Sequence, residues 1–230
     1  MRIGIDVGGT NTDAVLMNGK EVISWTKTPT TANVSDGIST ALATIINTSK
    51  IDTSTITGVM IGTTHFTNAV VERKHLTPTT CIRLGLPATT SLPPMIDWAD
   101  DLREVIGGHY HFAHGGYEFD GRELSPFDPD VIQGITEQVK AQGIKAIAIS
   151  SVFSPVNPAY ERQTADIIQA TIPDATITLS SEIGRIGLLE RENAAIMNAC
   201  LRELADRTVN AFQQALADMQ ITAPFYGLKK

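Results

Sequence analysis

Cysteine is almost missing from this chain: Cys81 and Cys200 stand far apart among 230 residues and form no CxxC pair. That excludes a disulfide framework and a zinc knuckle, and each cysteine, set among apolar neighbours, reads as a small buried hydrophobe. Long hydrophobic runs are missing too, none approaching the roughly 18 apolar residues of a membrane span. Nothing at the start has the pattern of a secretory signal, because Arg2 is followed at once by a short alternating stretch holding Asp6 and two glycines. Positive charge is in short supply. A net charge of −7 offers no basic face to nucleic acid or to an anionic membrane, so neither is expected as a partner. What remains is ordinary for a globular protein, 42% apolar and 19% charged, and long enough for one large domain or two small lobes. The expectation is a soluble cytoplasmic protein.

Hydrophobic spacing supplies the order of elements. Residues 2 to 27 read as three strands, with Ile3, Ile5 and Val7 alternating, then 14–17, then 22–25. Asn18-Gly19 marks a tight hairpin between the last two. Asn33 or Ser35 is placed to cap a helix whose apolar face is Ile38, Ala41, Leu42, Ile45 and Ile46. A buried strand follows from Ile56 to Ile61, a helix start at Thr63-Thr64, and a strand at 81–84. Residues 86 to 127 break the rhythm with Pro87, Pro93, Pro94, two glycine pairs and three of the five histidines, the composition of a long loop or an inserted lobe. Asp128-Pro129 then caps and opens a helix ended by Gly143. A strand from Ile144 to Ile149, a helix opened by Asn157-Pro158 and a strand at 177–179 come next. From Leu188 to Met219 there is no proline or glycine, which predicts one long helix or two end to end. Three meandering strands followed by alternating helices and strands give an α/β fold with helices on a mixed sheet.

Asp6-Val7-Gly8-Gly9-Thr10-Asn11-Thr12 is the stretch that carries chemistry. Asp6 ends an apolar strand, where a carboxylate has no packing purpose. Gly8 and Gly9 permit unusual torsions and close approach. Thr10, Asn11 and Thr12 add hydroxyl, amide and backbone donors in a concavity suited to phosphate oxygens. Asp6 would be repelled by phosphate, and its sensible role is to hold Mg²⁺ through water, an ion reluctant to shed its hydration shell. The competing reading is a plain glycine turn.

The string resembles the first phosphate loop of the superfamily that includes actin, heat-shock ATPases and sugar kinases. Three further stretches resemble one family within it. They are Gly62-Thr63-Thr64-His65-Phe66-Thr67-Asn68-Ala69-Val70-Val71-Glu72-Arg73, then Ser150 to Pro158, then Ser180 to Arg185 leading to Glu190-Arg191-Glu192-Asn193. Together with the hairpin they are similar to the N-terminal region of the hydantoinase A/5-oxoprolinase family, in its order and over nearly the whole chain.

That resemblance implies a ribonuclease H-like, actin-type ATPase lobe over 1–187, with an irregular insertion at about 86–127. It implies that 188–230 forms a long helix and the start of a second lobe. The implied activity is ATP-driven opening of a small cyclic amide or imide, a hydantoin, N-methylhydantoin, oxoproline or lactam, with ATP and Mg²⁺ as cofactors and a larger companion hydrolase subunit as partner. An amide carbonyl is a poor electrophile because nitrogen donates into it. Phosphoryl transfer to its oxygen would end that donation, so catalysis becomes alignment and charge neutralisation. Thr63, Thr64 and Asn68, where a strand meets a helix N-terminus, are candidates for the phosphoryl-acceptor side, with helix capping as the competing role. Glu72-Arg73 reads as an exposed pair. Glu190 to Glu192 reads as a solvated turn or as a group reaching a cleft.

Two features stand apart. His109 and His111 would share a strand face, and with His114 or Asp120 they would suit a transition metal; a glycine-rich loop with incidental histidines is the alternative. No second acidic-glycine phosphate loop follows the first, and Asp120-Gly121-Arg122 is a poor substitute. The expectation is therefore a piece with half an ATP site, silent alone. The alternatives are a sugar or small-metabolite kinase, which shares the hairpin but not the Thr63 to Arg73 stretch, and a non-catalytic assembly module.

Overall fold

The computed structural model describes residues 1–30 and 34–227, without the side chains of Val34 and Ser35. The helix cap expected at Asn33 or Ser35 therefore lies outside the description. Two compact units divide the chain: residues 1–74 with 204–230, and residues 75–203.

The first unit opens with β1 (Arg2–Val7), β2 (Asn11–Asn18) and β3 (Glu21–Pro29), an antiparallel meander. Helix α1 (Val34–Ser49) follows, and β4 (Gly58–Thr63) returns parallel to β1 before α2 (His65–Glu72). Gly19, at a φ of 62°, turns β2 into β3 as Asn18-Gly19 predicts. Strand alternation sends Ile3, Ile5, Val7, Ala14, Leu16, Val59 and Ile61 to one face, where Ile38, Ala41, Leu42 and Ile45 of α1 cover them. The opposite face carries Asp6, Asp13, Val15, Trp25 and Met60.

The second unit is a wholly parallel sheet with helices. Strand β5 (Thr79–Leu86) leads through α3 (Asp100–Val105) to β6 (His109–His114). Helix α4 (Pro129–Ala141), β7 (Ala146–Ser151), α5 (Ala159–Thr171), β8 (Thr176–Leu179) and the single turn α6 (Ser180–Ile183) complete it. The sheet order is β6-β5-β7-β8. Asp128 caps α4 by accepting from the Asp130 and Val131 amides at 3.0 and 3.4 Å, with Pro129 in its first turn. Ile132, Ile135 and Val139 of α4, with Ile168 of α5, seal Ile82, Leu84, Ile147 and Ile149. The stretch 86–127 is thus not wholly irregular: it holds α3 and the edge strand β6.

Residues 188 to 218 form one helix, α7 (Leu188–Asp218), whose residues up to Glu203 belong to the second unit and the rest to the first. Phe212, Ala215 and Leu216 enter the first unit's core. The strand that begins near Tyr226 is β9 (Phe225–Tyr226). It adds parallel to β4 and completes the order β3-β2-β1-β4-β9. The compact units thus meet in sequence at 74/75 and 203/204.

Candidate functional site

The hairpin between β1 and β2 is held from three sides. The Gly8 amide donates to the Asn11 carbonyl at 2.9 Å, closing the turn, and the Thr30 amide donates to the Thr10 carbonyl at 2.8 Å. The Thr30 hydroxyl donates to the Gly8 carbonyl at 2.9 Å. With those groups spent, the Gly9 and Thr10 amides have no acceptor among the described residues, and both residues are exposed. Unspent N–H groups on an exposed turn are what an anion-binding concavity needs.

Gly8 and Gly9 do not owe their identity to torsion, since neither has a positive φ. Space decides. A methyl group on Gly8 would stand 3.0 Å from the Asn11 carbonyl oxygen, and one on Gly9 would stand 2.7 Å from Asn68 Nδ2. Thr12 differs from its expected role as a phosphate ligand. Alternation places it with Ala14 and Leu16 on the core face, fully buried, and its hydroxyl lies 3.1 Å from that of Thr30. Its side chain braces the hairpin instead.

Asp6 sits beside this turn on the open face of the sheet, in register with Asp13 across the strand pair. Asp13 is paired with Lys27 at 3.3 Å, whereas Asp6 is exposed and has no cation among the described residues. Gly62 lies beside it, where a methyl group would meet Asp6 Oδ1 at an ordinary contact distance of 3.6 Å. An unpaired carboxylate with open space next to free backbone donors fits a hydrated Mg²⁺. A trough of about 520 Å³ runs from these aspartates along the same face, walled by Val15, Trp25 and Met60. Trp25 is 71% exposed.

The residues after β4 come to the same place. Thr63 donates to the Val7 carbonyl at 2.9 Å and accepts from the His65 amide at 3.0 Å. Its hydroxyl therefore joins the start of α2 to the end of β1. The Thr64 amide also reaches the Val7 carbonyl, at 3.3 Å, and its exposed hydroxyl makes no capping bond. Asn68, one turn later, carries its carboxamide to Gly9. Arg73 lies elsewhere: it ends α2 in a left-handed conformation, its amide donating to the Ala69 and Val70 carbonyls. Glu72 pairs with Lys74 at 3.2 Å on the exposed surface.

In the second unit, the alternation of β6 puts His109 and His111 on one face and His114 on the other. Among the described residues no group of three His, Cys, Asp or Glu side chains is placed to hold a metal. Burial, with His109 as a smaller contribution, lowers the pKa of His111.

The 190–192 cluster is neither a solvated turn nor an open cleft wall. Arg191 and Glu192 are buried, and only Glu190 is exposed. Glu192 takes a two-point contact from Arg83, through Nε at 2.7 Å and Nη2 at 2.5 Å, and accepts from the Ser150 hydroxyl. Arg191 donates to the Ser180 hydroxyl at 2.9 Å and to the carbonyls of Arg185, Ile186 and Ser151. Glu161 accepts from the Ser180 and Ser181 hydroxyls. Sequence reasoning passed over Arg83 and Glu161. A charged residue inside the apolar run Cys81-Ile82-Arg83-Leu84 was the available signal.

A three-strand meander, a helix and two further strands parallel to β1 define the class: an α/β lobe of ribonuclease H-like fold. The crystal structure of the ATP-dependent caprolactamase from Pseudomonas jessenii shares this fold, with a TM-score of 0.76 and 23% identity over 99% of this chain and 35% of that one. A nucleotide-free acetone carboxylase structure does so at a TM-score of 0.71 and 19% identity, over 94% of this chain and 34% of that one. The family model of the hydantoinase/oxoprolinase N-terminal region matches residues 2–172, and this chain belongs to that family. Its curated relatives include the caprolactamase alpha subunit of Pseudomonas jessenii, 24% identical over 97% of this chain. An uncharacterised protein of Methanocaldococcus jannaschii is 25% identical over 98% of it. The chain spans 34% of the length of each.

Proposed function

We propose that this chain is the nucleotide-phosphate half of an ATP-dependent hydrolase of small cyclic amides or imides. The observation that carries the reading is the hairpin: two free backbone amides at Gly9 and Thr10 beside an exposed, unpaired Asp6, in a chain of the hydantoinase/oxoprolinase family. Asp6 would hold Mg²⁺ through its water shell, and Gly9, Thr10 and Asn11 would receive phosphate oxygens. ATP supplies the phosphoryl group that turns a resonance-stabilised ring carbonyl into an electrophile. The chain's own contribution is to fix the phosphates and neutralise their charge, which is most of what phosphoryl transfer asks of a protein. Thr64, at the start of α2 with a hydroxyl that makes no capping bond, is the candidate on the acceptor side. A larger companion subunit would complete hydrolysis, and a second phosphate loop from outside this chain would close the nucleotide, so the chain alone is catalytically silent.

Phosphate release from Mg-ATP, measured on the longer polypeptide mixed with its companion subunit, tests this. Release should depend on a hydantoin, oxoproline or lactam. Release that responds to a hexose and to none of the ring amides would place the chain with the kinases instead.

A further inference from the structure

We infer that Asn68 belongs to the phosphate-holding side of the hairpin, its carboxamide N–H serving as a third donor beside the Gly9 and Thr10 amides. This rests on the phosphate reading of the hairpin and moves Asn68 away from the acceptor side. Three observations converge. The Asn68 carboxamide lies so close to the turn that a methyl group on Gly9 would stand 2.7 Å from Nδ2. That side-chain N–H has no acceptor among the described residues and is not among the buried unpaired atoms, so it is open to a ligand from outside. Its position is not accidental. The Thr63 hydroxyl and the Thr64 amide both grip the Val7 carbonyl, and the Asn68 backbone N–H donates to the Thr64 carbonyl at 2.9 Å, so β1 and the first turn of α2 form one piece. The glycine at position 9 therefore has a specific cause: it leaves room for the Asn68 carboxamide above the turn. The ligand class is a phosphoryl oxygen, carried by a nucleoside di- or triphosphate or by inorganic phosphate.

The test is an amide-resolved NMR titration of the ¹⁵N-labelled chain with Mg-ADP and, separately, with inorganic phosphate. The Asn68 side-chain resonances should shift together with the Gly9 and Thr10 amides. Asn68→Ala should weaken binding about tenfold or more, the size of one hydrogen bond to a charged group, while spectral dispersion and thermal midpoint stay close to those of the parent. Asn68→Asp, which sets a carboxylate against the anion, should weaken it at least as much. Gly9→Ala, which displaces the carboxamide, should reproduce the Asn68→Ala loss, and the double variant should add little. If Gly9 and Thr10 shift while the Asn68 side chain stays still, and Asn68→Ala binds like the parent, the inference is overturned and the hairpin reading survives. If neither hairpin amide shifts, the hairpin reading falls with it.

Discussion

At Gly9 a methyl group would collide with the Asn68 carboxamide, and at Gly8 it would press on the Asn11 carbonyl. The need for close approach at these glycines was legible in the sequence, but the partner of Gly9 was not, because Asn68 lies almost sixty positions away. Thr12 shows the same limit: its hydroxyl reads as a ligand until alternation turns it into the core. The thiols, by contrast, were readable from their apolar neighbours. Burial pushes Cys200 up to about 12 and Cys81 well above its ordinary value. Since the thiolate is the reactive form, neither should react with a disulfide reagent at pH 8 in the folded chain, and both should react in denaturant. His111 makes a pH prediction. Its folded pKa lies below its ordinary 6.5, so as pH falls from 6.5 toward that lowered value the unfolded chain takes up a proton that the folded chain refuses. Stability should therefore fall with acid in that window. Urea midpoints between pH 7 and 5 should slope less for His111→Gln than for the parent.

Among the elements, those with local signals appear where the sequence put them. The Asp128-Pro129 cap starts α4, and the run free of proline and glycine from Leu188 forms the single helix α7. Strand β6 was obscured, because the prolines and glycine pairs around it signal a loop while its ladder partner β5 is far off in sequence. The polar cluster beneath α7 was hidden for a related reason. Arg191-Glu192 looks like a solvated pair until Arg83 and Ser180 are brought against it. Removing one member of a buried, hydrogen-bonded ion pair leaves an unpaired charge, a loss of about 3–5 kcal/mol. Arg83→Met and Glu192→Leu should each lower the unfolding free energy by that order in urea titrations. The double variant should recover most of it, because an apolar pair of similar volume needs no desolvated charge.

For the whole molecule, the ribonuclease H-like fold was legible because the meander and the hairpin are contiguous, and the family because separated stretches along the chain resemble it. The division into units at 74/75 and 203/204 was not, since the first unit is assembled from both ends of the chain. The same scale holds the proposed function: phosphates received on one side by the Gly9 and Thr10 amides, with Asp6 holding Mg²⁺ through water, and the rest of the nucleotide site supplied from elsewhere. The chain alone should therefore release no phosphate from Mg-ATP above background in a coupled assay. The most direct measurement is an amide chemical-shift map of the chain with Mg-ADP, repeated for Asp6→Asn. The account predicts shifts centred on Gly8 to Asn11, no saturation at micromolar nucleotide, and loss of the Mg²⁺-dependent part in Asp6→Asn. Micromolar saturation, or shifts confined to residues outside the hairpin and α2, would contradict it.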